Sequence, residues 1–302
     1  MTEAHDAPAR RPARAVVRAA AERLATAGVE SPAYDAGELL AHVLGTTRGG
    51  LVLVDDVPAP RLAAFDALVE RRAAREPLQH LTGVAHFRHV ELAVGPGVFV
   101  PRPETEVLAG WAIDALRQGQ VRGADEAHRD ARAAPVAVDI CTGSGAIAKS
   151  LADEVPGARV HAVELSPAAY AFAERNLAGM GVDLRQGDFA TAFDDLLGTV
   201  DVVVCNPPYI PLEAWESVAR EARDHDPHEA LFSGQDGLDA IRVLERRAAQ
   251  LLRAGGVVGF EHADVQGEAA PAVFSATGRW ADVRDHRDLA GRPRFTTARL
   301  AR

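Results

Sequence analysis

Strand and helix patterns alternate regularly along the second half of the chain, and this alternation constrains the fold more than any other feature. Short apolar runs of strand length are separated by segments whose apolar residues recur at three- and four-residue spacing. The predicted strands are residues 136–140, 159–163, 183–186, 200–205 and 256–260, followed by two closing strands at 281–286 and 294–300. The predicted helices are residues 146–154, 167–178 and 238–253. This order is typical of a parallel sheet covered by helices on both faces, so the sequence predicts an α/β fold.

The part before this alternation has a helical pattern instead. Apolar residues recur at helical spacing from about residue 12 to residue 75. The period then changes at residues 87–94 and 98–100, which flank Gly95-Pro96-Gly97 and predict a β-hairpin. We therefore divide the chain into a helical domain at 1–83, a hairpin linker at 84–101 and the α/β domain at 102–302. The polar residues 118–135 predict a surface excursion.

Composition narrows the classes of partner. Lys and Arg number 33 against 43 Asp and Glu, which gives a formal net charge of −10. Because a large nucleic-acid footprint needs a basic surface, we expect no stable nucleic-acid binding. No run reaches the roughly 18 apolar residues of a spanning helix, so we expect no membrane span. Two cysteines cannot build a disulfide framework, which favours the cytoplasm. The histidines lack metal-ligand spacing, so we expect no metal.

The turn after the first predicted strand carries the signal for a cofactor. Residues 139–147 read Asp-Ile-Cys-Thr-Gly-Ser-Gly-Ala-Ile, and Gly143 and Gly145 let the backbone pass close to a ligand. Glu164 ends the second strand about twenty residues later, where a carboxylate can accept the two hydroxyl hydrogens of a ribose. A glycine-bearing turn with a surface glutamate is common in α/β folds, yet the spacing favours a nucleoside-type cofactor.

The type of cofactor follows from what surrounds this turn. The longer fingerprint of a dinucleotide site and the lysine of a P-loop are both missing from the sequence. Asp139 could instead hold an ammonium group, which S-adenosylmethionine carries beside its ribose. At the end of the third strand, Asp188 could accept a hydrogen from the adenine amino group and Phe189 could pack on the ring. These features predict S-adenosylmethionine.

A second motif, Asn206-Pro207-Pro208-Tyr209, directly follows the apolar fourth strand. Two prolines cannot continue a strand ladder, so they force a rigid loop at the carboxyl edge of the sheet, where open α/β sheets bind ligands. The Asn206 amide oxygen and the Pro207 carbonyl are two acceptors that suit one –NH2 group, and Tyr209 offers a flat face to the planar group that carries it. The alternative is a Pro-Pro turn that merely ends a strand.

These two motifs, together with Pro101-Arg102-Pro103-Glu104-Thr105-Glu106, resemble the HemK/PrmC family, the release-factor glutamine methyltransferases. Glu261-His262 is a further match, and the resemblance runs from about residue 75 to the C-terminus. Asn-Pro-Pro-Tyr alone is shared with methyltransferases that act on the adenine amino group, so the combination carries the specificity. Cys141 departs from the family pattern, which usually has glycine there, and a positive φ would strain this cysteine.

The resemblance implies methylation of the glutamine amide nitrogen in the Gly-Gly-Gln tip of class-I peptide-chain release factors. It implies a class-I, Rossmann-like methyltransferase domain, joined by the hairpin to an N-terminal substrate-recognition domain. The implied cofactor-binding residues are Asp139, Cys141, Thr142, Gly143, Ser144, Gly145, Glu164, Asp188, Phe189 and Asn206. The implied substrate clamp is Asn206, Pro207, Pro208 and Tyr209, of which Asn206, Pro207 and Tyr209 are the expected catalytic residues.

Two other functions stay open on the sequence alone. An adenine-N6 DNA methyltransferase would use the same clamp on a flipped base, but it would need a basic face that this acidic chain does not clearly offer. A non-catalytic adapter would bind a partner through its helices and would have no use for both motifs. We expect a monomeric cytoplasmic enzyme whose partner is a release factor.

Overall fold

The structure is a computed structural model that describes residues 10–122 and 134–301. The described chain divides into two compact units. The smaller unit contains the residues up to Gly83 together with the segment Ala219–His225, and the larger unit contains Val84–Val218 and the residues from Asp226 onward. The chain therefore leaves the larger unit after Val218 and returns to it at Asp226.

The smaller unit is helical, as its apolar spacing predicts. Its elements are β1 (Arg11–Pro12), α1 (Ala13–Thr26), α2 (Pro32–Leu44), β2 (Asp56–Val57), α3 (Ala59–Ala73) and α4 (Leu78–Thr82). Leu24, Leu39 and Phe65, one from each of the three long helices, lie in its buried core. Gly45 ends α2 in the left-handed conformation that glycine adopts without strain.

A buried ion-pair cluster connects three parts of the smaller unit. The Arg72 guanidinium on α3 lies 2.7 Å from the Asp35 carboxylate on α2 and 2.9 Å from Glu221 in the inserted segment. Arg75 lies 2.9 Å from the same Glu221 oxygen. Burial raises the pKa of Asp35 even though Arg72 opposes the shift. This carboxylate therefore depends on its arginine partner.

The hairpin belongs to the larger unit and turns at a different place from the predicted one. Its strands are β3 (Val84–Phe87) and β4 (Val90–Ala93), with Phe87 opposite Val90. The turn thus lies at Arg88 and His89, whereas Gly95-Pro96-Gly97 forms a later bend, and residues 98–100 are not a strand. Arg88 has a φ of +49°.

Distant contacts account for this turn. The Arg88 backbone N–H donates to Glu106 at 3.1 Å, and the Arg88 guanidinium pairs with Glu154 at 2.6 Å. Phe87 and Leu92 pack into the core of the larger unit, so the hairpin is a part of that unit and not a separate linker. A local turn signal cannot reveal partners 18 and 66 residues away.

A seven-stranded sheet with helices forms the rest of the larger unit. The helices of this unit are α5 (Thr105–Arg122), α6 (Ala146–Glu154), α7 (Pro167–Leu177), α9 (Asp239–Leu251) and α10 (Ala269–Ser275), whereas α8 (Arg220–His225) lies in the inserted segment of the smaller unit. The strands are β5 (Val136–Ile140), β6 (Arg159–Glu164), β7 (Asp183–Gln186), β8 (Val200–Cys205), β9 (Leu252–Glu261), β10 (Trp280–Arg287) and β11 (Pro293–Leu300). Their order is β10-β11-β9-β8-β5-β6-β7, with parallel pairing from β7 to β9 and antiparallel pairing beyond. The α/β prediction is confirmed.

Some boundaries differ from the predicted ones. Strand β9 begins at Leu252, four residues before the predicted start, and Leu252 pairs with Val200 of β8. Helix α5 extends to Arg122, and the rest of the predicted excursion at 118–135 lies mostly outside the described residues. No helix among residues 10–122 and 134–301 combines the length and apolar character needed to cross a membrane.

The strand register aligns the carboxyl ends of four parallel strands. Ile140 at the end of β5 lies opposite Val163 of β6 and Cys205 of β8, and Cys205 lies opposite Phe260 of β9. The residues that follow these positions therefore meet at one edge of the sheet.

The ion-pair cluster of the smaller unit yields a stability prediction. Arg72→Met should lower the opening free energy of α2 and α3 by about 3–5 kcal/mol, because it leaves Asp35 buried and unpaired. The matched control is Arg71→Met, which removes an exposed pair with Glu76 and should cost less than about 1 kcal/mol. Native-state hydrogen exchange of the α2 and α3 amides measures both. Equal protection losses in the two variants would contradict the role given to the buried pair.

Candidate active site

One cavity in the larger unit collects most of the predicted site residues. It opens at the carboxyl ends of β5, β6, β7 and β8. The predicted residues on its wall are Cys141, Thr142, Gly143, Ser144, Glu164, Asp188, Phe189, Asn206, Pro207, Pro208 and Tyr209. Two predicted cofactor residues are not on this wall: Asp139 is fully buried beneath the turn, and Gly145 packs against Leu177.

The turn after β5 is held by the carboxylate of Glu164. Its Oε2 accepts a hydrogen bond from the Gly143 N–H at 2.8 Å, and its Oε1 accepts one from the Ser166 N–H at 2.9 Å. Burial raises the pKa of Glu164, and these backbone N–H groups oppose that shift. A carboxylate has about four lone-pair sites, more than these backbone donors use, so it is fixed where it can still accept a hydroxyl hydrogen.

Asp139 supports the same turn from below. Its Oδ2 accepts from the Thr142 hydroxyl at 2.6 Å and from the Ala148 N–H at 3.0 Å, which links the turn to the first turn of α6. Its Oδ1 is buried and has no hydrogen-bond partner among the residues that the structure describes. Burial raises the pKa of Asp139 from 3.8 to about 7.

Two cysteines lie beside this turn. Cys141 has a φ of +58°, which is the left-handed region where a side chain is strained. It lies half-buried on the cavity wall, while Cys205 is buried at the end of the neighbouring strand β8. Burial raises the pKa of the Cys205 thiol, and both cysteines are free.

The third strand contributes Asp188 and Phe189. The Oδ1 of Asp188 accepts from the Ala190 N–H at 2.8 Å, which fixes an exposed carboxylate at the rim of the cavity. Phe189 is half-buried, lines the cavity and packs against the core beneath it. Both residues can therefore face a ligand that lies along the strand ends.

The loop after β8 is tied to two buried residues that the predicted site did not include. The Asn206 amide nitrogen donates to the Thr105 hydroxyl at 3.3 Å, and that hydroxyl donates to Glu261 Oε2 at 2.7 Å. The Tyr209 hydroxyl donates to Glu261 Oε1 at 3.1 Å. Glu261 is 1% exposed, and burial raises its pKa against the attraction of Arg294. Burial also raises the pKa of Tyr209, together with the neighbouring Glu261 charge.

Signals for these two residues existed in the sequence. Thr105 and Glu261 both lie within motifs that carry the family resemblance. Glu261 also directly follows the register pair of Cys205 and Phe260, so it is the β9 counterpart of Asn206. Strand-end reasoning applied to the fifth predicted strand would have placed it beside the clamp.

Comparison with known proteins agrees with this geometry. The family model described as PrmC N-terminal domain matches residues 15–83, and the one described as Methyltransferase domain matches residues 137–225. A release factor glutamine methyltransferase of Streptomyces coelicolor is 59% identical, over 95% of this chain and 98% of that protein. One from Mycolicibacterium smegmatis is 48% identical, over 96% of this chain and 98% of that protein.

The chain belongs to the release factor glutamine methyltransferase family. The HemK/PrmC resemblance is thus confirmed, and the match at 15–83 extends it to the part of the chain where the sequence showed only helices. Another relative of similar identity has a different named substrate. It is a 4-amino-L-phenylalanine/4-methylamino-L-phenylalanine methyltransferase of Streptomyces pristinaespiralis, 44% identical over 85% of each chain.

The cavity fits S-adenosylmethionine, the cofactor of this family. At Gly143, with a φ of +58°, an added Cβ would meet no atom within 4 Å, so the backbone itself faces open space. Glu164 and Asp188 are carboxylates on the wall, and the described lining residues include neither lysine nor arginine. A cavity with acids and no basic partner for phosphate suits a cationic ligand with a ribose. No group of acidic, histidine or cysteine side chains within 10–122 and 134–301 is placed to hold a metal ion.

Asp139 gives a pH-dependent stability prediction. Its folded pKa of about 7 exceeds its ordinary value of 3.8, so the folded state holds this proton more tightly and stability falls as pH rises from 4 to 7. Asp139→Asn removes that loss. In the absence of cofactor, the free energy of unfolding of this variant minus that of wild type should be about 2–3 kcal/mol larger at pH 8 than at pH 5.

Urea unfolding at the two pH values measures this difference. Asp236→Asn is the control, because Arg242 holds the pKa of Asp236 below its ordinary value and both pH values lie above its titration. Its effect should be the same at pH 5 and pH 8. A pH-independent effect of Asp139→Asn would contradict the raised pKa.

Cys141 gives a second stability prediction. A non-glycine residue in the left-handed region costs roughly 1–2 kcal/mol, whereas glycine costs about 0.5–1 kcal/mol in unfolded-state entropy. Cys141→Gly should therefore be at least as stable as wild type in urea unfolding. Cys141→Val should lose more than about 2 kcal/mol, because a β-branched residue is poorly tolerated there. A glycine variant that is clearly less stable than wild type would show that the turn is not strained.

Proposed function

We propose that this protein transfers a methyl group from S-adenosylmethionine to the side-chain amide nitrogen of the glutamine in the Gly-Gly-Gln motif of class-I peptide-chain release factors. The observation that carries the proposal is the anchored Asn206: its amide nitrogen is engaged by Thr105, so its oxygen is left for the substrate. The family membership of the chain supports the same reaction.

The clamp compensates for a weak nucleophile. The lone pair of a carboxamide nitrogen is delocalised into its carbonyl group, so the nitrogen attacks poorly unless its hydrogens are held. Asn206 Oδ1 and the Pro207 carbonyl oxygen can each accept one amide hydrogen. Within the described residues, no hydrogen bond reaches that carbonyl. Accepting both hydrogens raises the electron density on nitrogen and aims its lone pair.

The remaining chemistry is positioning. When bound, S-adenosylmethionine supplies an electrophilic methyl group. Asn206 and Pro207 stabilise the positive charge that develops on the substrate nitrogen, because both present oxygen dipoles to it. Holding the two reactants in a near-attack geometry can lower the barrier by roughly 7–11 kcal/mol. No strong base is needed, since the amide proton becomes acidic only after the fourth bond to nitrogen forms.

Selectivity for a release factor must come from contacts away from the amide. The clamp can bind any planar group that bears an –NH2, and glutamine, asparagine and adenine all have such a group. We assign recognition of the protein substrate to the helical part at 1–83 and to the hairpin region at 84–101, which are additional to the seven-stranded sheet and its helices. The protein would act as a monomer in the cytoplasm, and its net charge of −10 favours a protein substrate over stable nucleic-acid binding.

An arylamine of a free amino acid is a second candidate acceptor. The relative from Streptomyces pristinaespiralis has a name that specifies 4-amino-L-phenylalanine, whose amino group is also attached to a planar system. The same pair of acceptors suits this group. The identity of 59% to a release factor glutamine methyltransferase, against 44% to the arylamine enzyme, favours the release factor.

A methylation assay with alternative acceptors tests the function. Full-length protein, S-adenosylmethionine and a class-I release factor should give a peptide with one methyl group on the Gly-Gly-Gln glutamine, detected by mass spectrometry. Duplex DNA and 4-amino-L-phenylalanine should be methylated far more slowly. Asn206→Ala should reduce the single-turnover rate by about 100- to 1000-fold, by analogy with the loss of one oriented dipole in other enzymes.

The control for this assay is binding. Asn206→Ala should still bind the release factor with near wild-type affinity, because the contacts away from the amide are intact. A wild-type protein that prefers DNA or the arylamine, or an Asn206→Ala variant with the full rate, would refute the proposed function.

A further inference from the structure

We infer that Thr105 and Glu261 are positioning residues that decide which end of the Asn206 amide faces the substrate. The inference rests on the proposed function and adds two residues to its machinery. Neither residue donates to or accepts from the substrate amide in this account. They act on Asn206 through a series of hydrogen bonds, in which each group can take only one role, donor or acceptor.

Glu261 fixes the donor and acceptor roles in this series of hydrogen bonds. Burial raises the pKa of Glu261, but the Thr105 and Tyr209 hydroxyls and the Arg294 charge favour its ionised form. An ionised carboxylate can only accept hydrogen bonds. The Thr105 hydroxyl donates to one of its oxygens at 2.7 Å and the Tyr209 hydroxyl donates to the other at 3.1 Å. Each hydroxyl has a single hydrogen, so both hydrogens are used by Glu261.

The Thr105 hydroxyl fixes which end of the Asn206 amide faces it. Because its hydrogen is committed to Glu261, the Thr105 oxygen can only accept from its remaining neighbour. The Asn206 amide has a donor end and an acceptor end, and only the nitrogen can satisfy Thr105, which it does at 3.3 Å. A turned amide would place its oxygen against an oxygen without a hydrogen, which forfeits a hydrogen bond in a buried place.

Burial protects this series of hydrogen bonds from competition with water. Thr105 is 4% exposed and Glu261 is 1% exposed, so bulk water cannot easily replace either partner. The fold also fixes their places: Thr105 begins α5, and Glu261 follows the β9 residue that pairs with Cys205, the residue before Asn206. The acceptor Oδ1 is thus presented by three separate parts of the chain acting together.

Thr105→Val tests the inference, because valine keeps the shape and removes the hydroxyl. We expect a fall of about ten- to hundredfold in the single-turnover methylation rate, with the S-adenosylmethionine affinity within about twofold of wild type. Thr105→Ser, which restores the hydroxyl, should recover most of the rate. Thr296→Val is the matched control: it removes a fully buried hydroxyl on β11 that has no hydrogen-bond partner among the described residues.

A selectivity measurement separates positioning from general damage. Oδ1 accepts from the substrate –NH2 and repels a carboxylate, so wild type should bind a release factor with Gly-Gly-Gln at least about tenfold more tightly than one with Gly-Gly-Glu. Thr105→Val frees the amide to turn, so this preference should fall at least about threefold, while the Pro207 carbonyl keeps the remainder. Since the substitution changes no charge, a merely loosened fold would weaken both ligands alike.

The outcomes are distinct. If the wild-type protein leaves the release factor unmethylated, the proposed function fails and this inference fails with it. If wild type methylates the factor and Thr105→Val matches its rate or keeps its glutamine preference, only the inference is overturned. A slow serine variant would also overturn it, because the hydroxyl is then not what matters. Glu261→Gln should reproduce the loss, since its amide can donate to Thr105 and reverse these donor and acceptor roles.

Discussion

The parallel pairing of β5 with β8 is the constraint on which the site depends. It places Ile140 opposite Cys205, so the turn that follows β5 and the loop that follows β8 leave the sheet side by side. One loop has glycine backbone and the Glu164 anchor, and the other has the rigid Asn206-Pro207 acceptors. A donor of methyl groups and an acceptor amide can therefore meet at one edge without any movement of the strands.

Charge is distributed in keeping with this arrangement. The cavity wall has carboxylates and no described basic residue, whereas arginines such as Arg72 and Arg294 lie beside buried acids elsewhere. In the smaller unit, Arg72 forms an ion pair with Glu221 of the inserted segment Ala219–His225. In the sequence, this segment lies between the Asn206 loop and Pro227, and both of these line the cavity. Deleting residues 1–83 would remove Arg72 and Arg75, the partners of Glu221, and would therefore change more than substrate recognition. Point substitutions test recognition more cleanly.

Local patterns were enough to predict the sheet and the two motifs at its edge. The strands 136–140 and 200–205 have the predicted bounds, because apolar runs between turn residues identify them without knowledge of the fold. Strand 183–186 also has the predicted bounds, although its residues are mostly polar. The hairpin turn was misplaced because Arg88 is held by Glu106 and Glu154, which no local signal reveals. Thr105 and Glu261 lie in motifs of the family resemblance, but the hydrogen bond that joins them spans 156 residues and only the fold reveals it. Asp139 lies under the turn since its carboxylate accepts from Thr142 and Ala148.

A crystal structure of the full-length protein with S-adenosylhomocysteine and its release factor would show how the Asn206 amide and the substrate amide face each other. At a resolution that shows hydrogens, the amide group of each residue can be oriented without assumption. We expect the substrate amide nitrogen within about 3 Å of both Asn206 Oδ1 and the Pro207 carbonyl oxygen, with Asn206 Nδ2 still donating to Thr105. A substrate amide whose oxygen, and not its nitrogen, faces Asn206 would contradict it.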